Sequence, residues 1–382
     1  MTELLTPPAT RVHEIDVVRG FALAGILVAN IGYFADPGYA VNGTMTLPEG
    51  PVATAITALV LTKFYVIFSF LFGYSFTLQM RSAERAGASV TARTLRRCLG
   101  LFVIGVVHGL LLWIGDILTL YAVLGLILLA MRNIRPRTAV IIGSTIIGVL
   151  SLLMAALAWL STLDPSLAQP PPADTAAATR ALALATGGPL DFLTLQVETY
   201  PSLMAMIWAF QGPIALAMFL FGLAAGKSRL LEETGRWWRL APRIQWIGFG
   251  LGLPGGILLT MTANVPGVWE LVGLAVSTAT SVLLAAAYVV TLLRVVRRFP
   301  AAGRALAPAG RVAASNYVGQ SLLACLIFTG YGLALAGKLA PIAVMGVALA
   351  IYTLLLWLSA RWLRTHRYGP IEYVLRRVTN WA

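Results

Sequence analysis

The chain has 382 residues, of which 58% are hydrophobic and only 11% charged, against about 25% charged in an average soluble domain, and its mean hydropathy is +0.82. That balance excludes a soluble globular protein. The net charge of +13 does not point to nucleic acid either, because the basic residues are dispersed between apolar runs instead of lining one soluble face.

A helix needs about 17 to 25 apolar residues to cross the hydrocarbon core, where backbone groups must satisfy one another. Runs of that kind predict an all-α polytopic protein with about ten transmembrane helices. In chain order they cover 19–35, 54–80, 98–114, 117–132, 138–162, 202–226, 244–263, 268–293, 312–336 and 340–363. The first lacks a small-residue cleavage site and reads as a retained span. The third and fourth are joined by little more than Gly115-Asp116, which makes them a tight hairpin with Asp116 at its outer turn.

Of the 28 basic residues, all but Lys63, Arg180 and Lys338 fall on one side of these spans, from Arg11 and Arg19 through Arg81–Arg97, Arg236 and Arg311 to Arg376 and Arg377. The excess of arginine and lysine in cytoplasmic connections then places both termini in the cytoplasm, with anionic membrane lipids as partners of the basic loops. Residues 1–382 form a single integral membrane domain. Residues 163–201 are expected as an outer loop between two five-helix halves, with Gln169–Ala173 a flexible connection and Asp174–Thr179 opening a surface helix. Residues 368–382 read as a cytoplasmic interfacial helix, with Pro370 in its first turn and one apolar face of Ile371, Val374, Leu375 and Val378. Cys98 and Cys325 belong to spans and imply no disulfide framework.

Polar side chains inside spans are costly and usually face a cavity or another helix, so they form the candidate site. Asp16 and Arg19, three apart, make a carboxylate and guanidinium neighbours at the entrance to the first span. They read as a structural ion pair, or as a site where Arg19 binds an anionic headgroup or phosphate. Asn30 lies about three turns further along the same face. Lys63 either snorkels to the outer surface or pairs with Asp116 or a substrate.

His108 stands alone among the histidines in lying within a span, so a bis-histidine haem site is excluded, and no HExxH or CxxC pattern offers zinc ligands, so redox and metal readings fall away. What remains is a general base, a proton relay or a structural histidine. Asp116, eight residues on, is about 12 Å away along a helix, too far for contact unless the turn bends back, and it also reads as an N-cap for the fourth span. Tyr121, Asn316 and Gln320 complete the set. Ser69/Gly73, Gly105/Gly109 and Gly222/Gly226 are small residues four apart, a pattern for close helix packing.

Five segments together resemble the YeiB-like family of bacterial inner-membrane proteins, a family of unknown function. They are RVHEIDVVRGFALAGILVAN from Arg11, KFYVIFSFLFGYSF from Lys63, HGLLLWIGDILTLYAVLG from His108, AGRVAASNYVGQSLL from Ala309 and RYGPIEYVLRR from Arg367. The family looks like a distant branch of the transmembrane acyltransferases that include heparan glucosaminide acetyltransferase. The resemblance implies transfer of an acyl group from cytoplasmic acyl-CoA, such as acetyl-CoA, to a hydroxyl or amine of a sugar or lipid acceptor, by a homodimer in the bacterial inner membrane.

Within it, Asn30 lies near the reacting groups and Arg19 near the donor entrance. One departure stands out: the outer segment Ala35–Pro51 contains no histidine, where the lysosomal branch carries its catalytic one. His108 is then the candidate base, with Asp116 or Tyr121 to orient it or hold the acceptor. Asn30, Asn316 or Gln320 are candidate oxyanion donors, and Arg19 and Arg311 candidate phosphate ligands. The rival expectation is a transporter of a small solute or lipid, its pathway lined by the intramembrane His108, Asp116 and Lys63.

Overall fold

The computed structural model describes residues 12–42, 50–169, 174–232, 238–263, 265 and 267–381. Arg11, Gly43–Glu49, Pro170–Ala173, Arg236 and Ala382, which figure in the sequence expectations, lie outside the described residues. Among the described residues the protein is all-α, as expected for a membrane chain. It has eight helices long and apolar enough to cross a membrane and two shorter apolar ones, Leu118–Ala130 and Ala313–Phe328.

The elements are α1 (His13–Ala35), α2 (Gly38–Val41), α3 (Pro51–Leu59), α4 (Phe64–Arg85), α5 (Val90–Leu111), α6 (Leu118–Ala130), α7 (Pro136–Leu163), α8 (Thr175–Thr186) and α9 (Pro189–Lys227). They continue as α10 (Ala241–Thr262), α11 (Val268–Arg298), α12 (Pro300–Arg311), α13 (Ala313–Phe328), α14 (Pro341–Trp362) and α15 (Pro370–Thr379).

Two predicted spans are interrupted. The run 54–80 bends between α3 and α4, where Thr62 adopts a left-handed φ of 68°. The run 312–336 stops being helical after Phe328, and the chain continues through turns that include Ala334 and Gly337, both at positive φ. The expected outer loop 163–201 is helical over much of its described length, because α8 and the first turns of α9 occupy it.

Helix association within lipid relies on close packing more than on water exclusion, so small residues decide where backbones meet. The α4/α9 pair shows this. A side chain on Gly73 would run into the backbone of Phe219, and one on Gly222 into that of Phe70. The main core gathers α1, α4, α5, α6, α9 and α13 around buried residues such as Leu23, Leu71, Leu128, Phe219 and Tyr317. A second cluster packs the end of α1, the 112–117 turn, α8 and the start of α9 against α13 and α14, with Phe34 stacked on Trp113 at 4.3 Å. α7 is by contrast almost wholly on the periphery.

Candidate functional site

The α5/α6 hairpin brings His108 and Asp116 into direct contact. α5 ends at Leu111, the chain reverses through 112–117, and α6 begins at Leu118, so that Asp116 returns alongside the last turn of α5. His108 Nδ1 lies 2.9 Å from Asp116 Oδ1. The second carboxylate oxygen, Oδ2, accepts the backbone N–H of Thr119 at 2.8 Å. One carboxylate thus caps α6 and holds the imidazole, combining two roles that the sequence presents as alternatives. Their separation along an unbroken helix is overridden by the turn.

Within its turn Asp116 is covered by other parts of the protein. It is 0% exposed, and its neighbours Trp113, Ile114 and Ile117 are buried with it. The imidazole has a further partner absent from the sequence candidates: Ser321 Oγ of α13 lies 2.9 Å from His108 Nε2. Ser321, His108 and Asp116 therefore form one hydrogen-bonded chain linking α13, α5 and the start of α6. Sequence reasoning passes over Ser321 because a lone serine in an apolar helix is ordinarily packing. The signal was its place one turn after Tyr317 and beside Gln320.

A cavity of about 1030 Å³ approaches this chain. Its mouth carries Arg19, Arg81, Arg93, Arg97, Arg311 and Arg376, together with Asp16, Glu232 and Glu372. Its other end is formed by Leu101, Leu118, Tyr121 and Tyr317, all buried. The Tyr317 ring lies 4.9 Å from the His108 ring, which itself does not line the cavity.

At the mouth, Arg19 pairs with Asp16 at 3.1 Å and also donates to Ser75. The Nε atoms of Arg97 and Arg311 are buried and without a protein partner. A buried guanidinium N–H left unpaired is costly, which makes these two the groups most ready to receive an anion. Glu232 is bridged to Arg81 through both oxygens, at 2.6 and 3.1 Å. That hydrogen bonding holds its carboxyl below the usual glutamate range.

The remaining candidates are placed as follows. Tyr121 lines the cavity, but its hydroxyl bonds Ser69 Oγ at 2.6 Å, so it braces α6 on α4 instead of orienting His108. Asn316 uses its amide on Ala309 O and Ser359 Oγ, and Gln320 donates to Leu23 O, so these two tie α13 to α12, α14 and α1.

Lys63 neither snorkels nor pairs with Asp116. It is 0% exposed, at the bend between α3 and α4, with Nζ 3.3 Å from Thr57 O. Asn30 is half-buried toward the other end of α1, outside the cavity lining. Among the described residues no cluster of three metal-ligating side chains is present.

Residues 225–382 match the family described as "Protein of unknown function (DUF418)". Over 391 aligned residues the chain is 30% identical to "Uncharacterized protein YxaH" of Bacillus subtilis (strain 168), covering 97% of this chain and 94% of that protein. It is 27% identical to "Uncharacterized 39.9 kDa protein in amylase 3'region" of Bacillus acidopullulyticus, over 97% and 94% of the two chains. A third relative is "Uncharacterized protein YeiB" of Escherichia coli (strain K12), at 26% identity over 96% of this chain and 95% of that one.

Proposed function

The chain belongs to the YeiB-like family of membrane proteins, and on that premise we propose that it is an inner-membrane acyltransferase. It takes an acyl group from cytoplasmic acyl-CoA and delivers it to a hydroxyl or amine acceptor at or across the membrane. In this reading about ten segments cross the bilayer, both termini are cytoplasmic, and the arginine mouth opens toward the cytoplasm.

The observation that carries the proposal is the cavity itself. An arginine-rich mouth suits the phosphates of CoA, which planar guanidinium groups bind through paired N–H donors. The volume lies at the upper end of the range of roughly 300 to 1000 Å³ typical of small-molecule sites. Away from the arginines the cavity is lined by the buried Leu101, Leu118, Tyr121 and Tyr317, and beside Tyr317 the only buried histidine of the described residues is held by a carboxylate. An acceptor hydroxyl is a poor nucleophile until a base removes its proton, and His108 held by Asp116 is equipped for that task.

The test uses the purified protein in lipid nanodiscs with acetyl-CoA. Arg97→Ala and Arg311→Ala should each weaken acetyl-CoA binding about 10- to 100-fold, the loss of one or two charge-assisted hydrogen bonds. His108→Ala should leave binding in place and lower thioester consumption by about 10²- to 10⁴-fold. Acetyl-CoA that binds and is never consumed, whatever acceptor is offered, would favour transport; no binding at all would reject the donor.

A further inference from the structure

We infer that Ser321 is the nucleophile of this site, so that transfer passes through an acyl-serine intermediate; the inference rests on the acyl-CoA reading above. Asp116 accepts hydrogen bonds at both of its oxygens, from His108 and from the Thr119 N–H. That arrangement keeps the imidazole proton on Nδ1 and turns the lone pair of Nε2 toward the Ser321 hydroxyl, 2.9 Å away. Nucleophile, base and orienting carboxylate then stand in the order that activates a serine, on a fold unrelated to the soluble enzymes that use it.

The cavity wall leads to the same place. Tyr317 precedes Ser321 by one turn on the same face of α13, Leu118 follows Asp116 by two residues, and Leu101 precedes His108 by two turns on α5. Every element that contributes to the hydrogen-bonded chain therefore also contributes to the closed end of the cavity. Of the α13 residues that line the cavity, Tyr317 is the nearest in sequence to the serine. Its hydroxyl oxygen accepts the Ile117 N–H at 3.3 Å, which leaves its own hydrogen for the carbonyl oxygen of an arriving thioester. Ser321 is 4% exposed and is not itself part of the cavity lining, so acylation requires the wall beside it to open.

The steps balance without an oxidant or a metal. Ser321 Oγ attacks the thioester carbon while His108 Nε2 takes the hydroxyl proton. The C–S bond then breaks, and the leaving sulfur takes that proton and departs as free CoA thiol. The acyl group is left as an ester on Oγ. In the second half the acceptor hydroxyl or amine gives its proton to Nε2 as it attacks the ester carbon. The bond to Oγ breaks, and Oγ recovers the proton. Donor and acceptor thus use the site in turn, which suits substrates that approach from different sides of a membrane.

The test incubates the full-length protein in nanodiscs with labelled acetyl-CoA and no acceptor, then maps the label by peptide mass spectrometry. A fluorophosphonate probe is run in parallel, since it reads serine nucleophilicity independently of any donor. The expected result is an acetyl adduct on Ser321 that is lost in Ser321→Ala and His108→Ala, with transfer reduced at least hundredfold in both. Ser321→Cys, which keeps the size of the side chain, should instead carry the label as a thioester released by neutral hydroxylamine.

Acetyl transfer that proceeds with no adduct on Ser321, and within a few-fold of the wild-type rate in Ser321→Ala, would overturn the inference and leave the acyl-CoA reading standing. If acetyl-CoA neither binds nor reacts, that reading fails; a His108-dependent fluorophosphonate adduct on Ser321 would then support the nucleophile with a different donor, and its absence would reject both.

Discussion

At Gly105 a single hydrogen decides whether the site exists. A methyl group there would lie 2.7 Å from Asp116 Oδ2 and equally close to the Thr119 backbone nitrogen, both of which are held in the cap of α6. The carboxylate approaches α5 closely enough to bond His108 only because this position has no side chain. Gly105→Ala is therefore expected to push α6 away, costing about 1 to 3 kcal/mol of stability by overpacking. It should abolish acetyl-CoA turnover at temperatures where the protein stays folded, as read by thermal melting alongside a thioester assay. Tyr317→Phe is the complementary case. It keeps the ring that closes the cavity and removes one hydroxyl, so kcat should fall about 10²- to 10³-fold with KM little changed. At this scale the sequence was informative about residue types and silent about contacts. His108 and Asp116 announce themselves as polar residues in an apolar run, whereas the 2.9 Å bond between them depends on a six-residue reversal that hydropathy does not encode.

α6 and α13 are the two short apolar helices, of 13 and 16 residues, and between them they carry most of the candidate site. At 1.5 Å per residue they extend about 20 and 24 Å, less than the roughly 30 Å of a hydrocarbon core. Non-helical chain adjoining each is tolerated at such depth only where protein surrounds it, and the 112–117 turn before α6 is largely buried. Length and apolarity made the helical, membrane character readable, yet they merged α13 with the turns after it, since residues such as Ala334 and Leu335 are apolar in any conformation. The first turn of α13 is satisfied from far away in sequence. Glu372 Oε1 accepts the N–H groups of Ala314 and Ser315, at 2.7 and 3.3 Å, while Oε2 accepts the Ser315 hydroxyl. α15 accordingly packs on α5 and α13 as part of the cavity wall, with Leu375 buried. Glu372→Ala should destabilise the protein by about 1 to 2 kcal/mol, as loss of a helix cap does. It should also weaken acetyl-CoA binding, both effects being measurable by thermal shift with and without the ligand.

Over the whole molecule the basic residues are dispersed, but nine arginines converge on the cavity, a concave setting in which fields are focused toward an anionic ligand. Acetyl-CoA affinity should thus fall steadily as salt is raised through about 0.1 M, where the Debye length is about 10 Å. A shift confined to very low salt would argue against the arginine mouth as the docking site. The same end of the bundle has an acid-sensitive tie. Glu232 holds the segment after α9 to Arg81 and to Tyr74, whose hydroxyl donates to it at 3.4 Å. Because its folded pKa is depressed, its contribution is fully present above the ordinary glutamate range, near 4.3, and is lost as pH falls through the depressed value. Wild-type protein should lose more thermal stability than Glu232→Gln on acidification from about pH 5 to pH 3.

The cap supplied by Glu372 also imposes an order on biosynthesis. Synthesis runs from the N-terminus, so α13 is made with its first N–H groups unsatisfied, and their acceptor follows 57 residues after Ser315. A nascent chain halted late in that interval already holds Ser321, His108 and Asp116, and Arg97 and Arg311 as well, but not α15. Its cavity wall is still open on the side that Leu375 and Arg376 later fill, so the pocket is completed only when this last described helix is made.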